Sequence, residues 1–81
     1  MSAPRALYVP RSAHVRCSEA GVPQVVNGQP VELVCESWLV EDRWWTEQPL
    51  RRRYWEVVSV SGRNLVVFHD LESGQWFSQS A

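Results

Sequence analysis

Four side chains of metal-ligand type, His14, Cys17, Cys35 and His69, are the first places to look for chemistry in this 81-residue chain. A zinc site needs three or four such groups converging tetrahedrally. His14-x-x-Cys17 has a suggestive spacing, but residues three apart on a strand point to opposite faces, and Cys35 and His69 stand alone. Nucleophilic catalysis needs a Ser or Cys within reach of a base that a third group orients. His69 and Asp70 are neighbours in sequence; on a strand they face opposite ways, so Asp70 cannot orient His69. No Gly-rich phosphate loop or dinucleotide fingerprint is present. These patterns predict no catalytic residue, no metal site and no cofactor.

Binding chemistry is better represented. Arg51, Arg52 and Arg53 run directly into Tyr54 and Trp55, and guanidinium groups interleaved with aromatics can hold phosphates and stack bases. The competing reading is a solvated strand entry whose arginines are neutralised by Glu41, Asp42, Glu47 and Asp70. Trp44 and Trp45 are adjacent, so strand alternation sends only one of them to a core. The other must cover a loop, form a rim or meet a partner, and Trp and Arg are enriched in interface hot spots.

Composition narrows the partners. The formal net charge is −1, so the field of the whole molecule does not draw it to nucleic acid or an anionic membrane. All eight basic residues are Arg, with neither Lys nor Ile in the chain; the codon bias of a GC-rich genome would give that, and so would a preference for bidentate guanidinium contacts. Arg5 and Arg11 flank only a short apolar stretch, and no run approaches the ~20 residues of a membrane span. A cytoplasmic location is expected, with Cys17 and Cys35 reduced. Five Trp, two Tyr and two Phe can each bury ~150–250 Å², enough for a compact core without a disulfide.

The elements that must position these residues are short and extended. Residues 1–12, with Pro4 and Pro10, read as an extended or mobile lead-in to a single all-β domain over 13–79. A first strand is expected over Ala13–Ser18. Asn27-Gly28 suits a turn needing positive φ at both centres. Val31–Trp45 reads as a long bent strand with a bulge near Glu36–Trp38, and Thr46–Leu50 as a loop. Arg51–Val60 and Arg63–Asp70 form a hairpin, and a turn at Leu71–Gly74 returns the chain through Gln75–Ser78. About five strands with short turns predict a small antiparallel meander curling into an SH3-like or partly open barrel.

Folding the hairpin about a two-residue Ser61-Gly62 turn sets Trp55 opposite Phe68, Val57 opposite Val66 and Arg53 opposite Asp70. Cross-strand pairs of these types contribute ~0.2–1 kcal/mol each. In that register Tyr54, Val58, Val60, Leu65 and Val67 share the face opposite Trp55 and Phe68. The hairpin is thus apolar on both faces, where a half-solvated antiparallel sheet should alternate more cleanly. The second face, rimmed by Arg52, Glu56, Arg63 and His69, is expected to be covered by the N-terminal segment, a second copy or a protein partner.

Glu36–Trp55, Gly62-Arg63, Val67–Leu71 and Gly74–Phe77 carry a resemblance. The segment Trp44-Trp45-x-x-x-Pro49-x-Arg51-Arg52-Arg53-Tyr54 and the run Asp70-Leu71-x-x-Gly74-x-Trp76-Phe77 resemble a bacterial family of small domains of undefined function. Its members occur alone or at the C-terminal end of inactive Y-family polymerase relatives of the translesion-synthesis mutasome. The resemblance spans about Val31–Gln79. It implies no enzymatic activity and a protein-interaction module near DNA repair machinery, with mutasome components as partners. The expected function is therefore a non-catalytic protein-interaction domain, using Trp44, Trp45, Arg51, Arg52, Arg53, Tyr54, Val58 and Leu65. The alternative is a single-stranded nucleic-acid binder using the Arg/aromatic cluster, and self-association is a third use of the same surface.

Overall fold

The computed structural model describes residues 10–42, 45–47 and 49–80. Seven strands form one antiparallel sheet: β1 (Arg11–Ser12), β2 (Val15–Cys17), β3 (Pro23–Val26), β4 (Gln29–Asp42), β5 (Leu50–Ser59), β6 (Asn64–Asp70) and β7 (Trp76–Ser80). Their order in the sheet is β1-β7-β6-β5-β4-β3-β2. β3 to β7 run as a meander, each strand beside the next. β1 and β2 lie at opposite ends of the order, yet only Ala13 and His14 separate them in the chain. The N-terminal segment therefore ties the two ends of the sheet together, which forces the sheet to curl into a partly open barrel.

The count exceeds the expected five by two, because the first strand is split and Pro23–Val26 forms a further strand, β3. Arg11 and Ser12, expected within the lead-in, pair with Ser78 and Phe77, while Val15–Cys17 pair with β3. The single N-terminal strand thus serves two partners and breaks between them.

Turn chemistry sets the registers. Val26 pairs with Gln29 across Asn27 and Gly28, whose φ values of 50° and 82° are those a two-residue hairpin of the right twist requires. Asn27 also accepts the His14 amide on its Oδ1 at 2.8 Å, and its own N–H donates to the His14 carbonyl at 2.7 Å. The β5–β6 hairpin departs from the sequence-based register. Its loop has three residues, Val60–Gly62, closed by Gly62 N–H donating to the Ser59 carbonyl at 2.8 Å and Ser59 N–H to the Arg63 carbonyl at 2.9 Å. A two-residue turn needs positive φ at its first centre. Ser61 does not adopt it, whereas Gly62 does, at 88°. Three residues with the left-handed one last is the next available loop.

That single residue moves the whole strand. Trp55 lies opposite Val67, Tyr54 opposite Phe68, Val57 opposite Leu65, and Arg53 opposite His69; Asp70 faces Arg52. A slip of one exchanges the faces of β6, so Trp55 and Phe68, expected together, lie on opposite sides of the sheet. The concave side carries the core of Val26, Trp55, Val57 and Val67, with Val15, Val31, Leu65 and Trp76 packed against it. The bulge expected near Glu36–Trp38 lies at its start, between Val34 and Glu36, and a second falls between Val31 and Leu33. The bulges bend β4 where it passes from β3 to β5.

Candidate outer-face interface

The convex side of the sheet holds a row of four aromatic rings, one from each of β4 to β7. Trp38 stacks on Tyr54 at 5.4 Å and 4°, Tyr54 meets Phe68 at 4.9 Å, and Phe68 meets Phe77 at 5.1 Å. The pairs Trp38–Tyr54, Tyr54–Phe68 and Phe68–Phe77 are directly opposed in register. The ring spacing is therefore close to the ~4.8 Å between strands. Such pairs contribute ~0.5–1.5 kcal/mol each beyond area burial.

Arg52 completes the row. Its guanidinium carbon lies 4.5 Å over the centre of the Phe68 ring, and Nη1 donates to Tyr54 Oη at 3.2 Å. Its Nε is buried without a hydrogen-bond partner. Phe68, only 1% exposed despite facing outward, is enclosed by these neighbours; Trp38, Tyr54 and Phe77 remain half-buried.

Around the ladder the charges are mostly acidic. Glu36 and Glu56 face each other across β4 and β5 on the same side as Trp38 and Tyr54. Like charges directly opposed are unfavourable. Asp70 lies on this side too, but its Oδ1 is occupied by the turn, accepting from Glu72 N–H at 2.9 Å and Ser73 N–H at 3.2 Å. It is a turn cap, not the partner of Arg53.

The expected site residues separate accordingly. Tyr54, Arg52 and Val58 share the outer face, where Val58 pairs with the exposed Leu33 of β4. Leu65, expected beside them, lies on the concave side against the core, a consequence of the three-residue loop. Alternation breaks up the arginine cluster. Arg51 and Arg53 point the other way from Arg52, and Arg51 pairs with Glu41 at 3.1 Å and Glu72 at 3.6 Å across exposed surface. Trp45 is 65% exposed in the β4–β5 connection, and Trp44 lies outside the described residues. Glu56 is a rim residue of the second face in the sequence reading, whereas Trp38, Glu36 and Phe77 are not among the site residues expected from the sequence. The alternation Glu36, Trp38, Val40 carries the signal, but it becomes legible only once β4 is in register with β5.

On the concave side His69 stacks flat on Trp76 at 4.4 Å and 3°, with Nε2 3.3 Å from the Gly74 carbonyl, and Trp76 meets Trp55 at 5.3 Å. His69 is thus held in packing. Cys17 and Cys35 are exposed free thiols. Among the described residues no three His, Cys, Asp or Glu side chains are grouped to hold a metal ion, and no helix is long and apolar enough to cross a membrane. Comparison with family models, curated proteins and solved structures finds no match to this chain.

Proposed function

We propose that this domain is a non-catalytic protein-interaction module that meets its partner through the convex face of the barrel. The observation that carries the reading is the aromatic row Trp38–Tyr54–Phe68–Phe77, built on the side away from the core. Val58 and Leu33 extend it with further apolar surface. Aromatic-centred patches with a charged rim are what stable protein contacts use. The resemblance of the Trp44–Tyr54 and Asp70–Phe77 segments to the mutasome-associated family supports a partner in a DNA-damage-tolerance complex.

A single-stranded nucleic acid would need cations beside the rings to hold its phosphates. Here Glu36 and Glu56 flank the ladder, and Arg52 is committed to Phe68 and Tyr54. The acids favour the protein reading. The test is affinity capture from DNA-damaged cells with the parent and a Trp38→Ala variant, alongside anisotropy with an oligo-dT probe. Proteins retained by the parent in 0.3–0.5 M salt and lost with Trp38→Ala are expected, since aromatic interfaces are little screened. Oligo-dT binding that falls steeply with salt and is lost with Arg52→Ala would replace this reading with the nucleic-acid one.

A further inference from the structure

The exposed side of β4 is the longest open edge in the described sheet. Only Gln29 and Pro30 pair with β3. Among the described residues, the strand pairs from Val31 onward with β5 alone: β3 pairs with it only through Val25 and Val26 and begins at Pro23, which has no amide to give. An open edge of this kind offers a row of free N–H and C=O groups to another strand. The N-terminal half is disrupted by the bulges on either side of Leu33 and Val34, a common way of blunting an edge. From Glu36 to Glu41 the strand is regular, with an unbroken register to β5. Leu39, at 45% exposure, stands on this stretch.

Charge identifies the occupant. β4 carries Glu32, Glu36 and Glu41 and no Lys or Arg. Glu41 is paired with Arg51, but Glu36 faces only Glu56. A second copy adding its own β4 would lay an acidic strand against an acidic strand. Trp38 stands at the end of the aromatic row, with no further strand beside it among the described residues. A guanidinium set beside it on an added strand would stack on the indole, and one beside Glu36 would answer the acid pair.

We infer that the Glu36–Glu41 edge of β4 takes an extended, arginine-bearing segment of the partner protein as an additional strand, continuing the aromatic row. This rests on the protein-interaction reading and gives it a mode: main-chain pairing for affinity, alternate side chains for specificity.

The test uses the full chain, isotopically labelled, and three ten-residue peptides. One alternates Arg with Val and Thr, one replaces every Arg by Glu, and one is the Arg peptide N-methylated at alternate amides. The Arg peptide is expected to bind and to slow hydrogen exchange at alternate amides between Glu36 and Glu41. The Glu peptide and the N-methylated peptide should each bind at least ~10-fold more weakly. Glu36→Lys should weaken the Arg peptide and strengthen the Glu peptide. Equal binding of the methylated peptide, unprotected β4 amides, or no binding by any peptide up to ~1 mM would overturn the inference. So would a dimer in sedimentation with protection confined to Glu36–Glu41, which would make the occupant a second copy. If the methylated peptide binds as well as its parent while Trp38→Ala abolishes both, the outer face is still the interface and only the strand-addition mode fails. If cell capture is also indifferent to Trp38→Ala, the interaction reading fails with it.

Discussion

Replacing Val67 by Ala tests the corrected register directly. Val67 is fully buried and lies opposite Trp55 on one side and Ser78 on the other, in the cluster with Val26 and Val57. The substitution removes about two carbons, worth ~0.8 kcal/mol each in transfer, so ~1.6 kcal/mol. Val26 comes from the far side of the curl and Trp55 is fixed against Trp76, so the walls cannot close fully. A residual cavity of ~40 Å³ at ~24 cal/mol per Å³ adds ~1 kcal/mol. The expected loss is ~2.5 kcal/mol, against the ~4–12 kcal/mol that a domain of this size holds. Val66→Ala, one residue earlier on the half-buried outer face, should lose no more than ~1 kcal/mol. Urea unfolding followed by Trp fluorescence measures both, and the melting temperature of Val67→Ala should fall by ~10–20 °C. If Val66→Ala proves the costlier change, the two-residue turn and the faces it implies are correct, and the packing described above is wrong.

The same geometry separates two charge insertions. Leu65→Glu should unfold the domain, because the side chain packs against the core, whereas Val58→Glu should leave a folded protein that no longer binds; circular dichroism and a binding assay check both. Gly62→Ala meets no steric obstacle but must hold φ at 88°, and should cost ~1 kcal/mol in urea unfolding; an unchanged midpoint would remove the three-residue loop as the determinant of register. Arg52→Met gives up a cation–π contact of ~0.5–2 kcal/mol but also removes a buried Nε that has no partner, a penalty of ~1–3 kcal/mol. Its stability should lie within ~1 kcal/mol of the parent, and a loss beyond ~2 kcal/mol would show the guanidinium to be holding the outer face together.

By itself the sequence determined whatever rests on local chemistry. The runs of β-branched and aromatic residues specify strands, and Asn27-Gly28 specifies a two-residue hairpin because Asn and Gly tolerate positive φ. The unusual apolar content of both faces of the 50–70 region was also legible, and with it a surface beyond the core. Which residues belong to which face was decided by the tertiary structure. Strand side chains have a period of two, so one extra loop residue at Val60 turned Leu65 and Val67 inward and Phe68 outward. The arginine cluster reads as one feature in sequence, but pleating divides it: Arg52 joins the aromatics and Arg51 joins Glu41 and Glu72. The row of four rings depends on successive strands meeting in register, Trp38 with Tyr54, Tyr54 with Phe68 and Phe68 with Phe77. Each register depends on the length and conformation of the connection before it, so the side-chain pattern of one strand alone does not encode it.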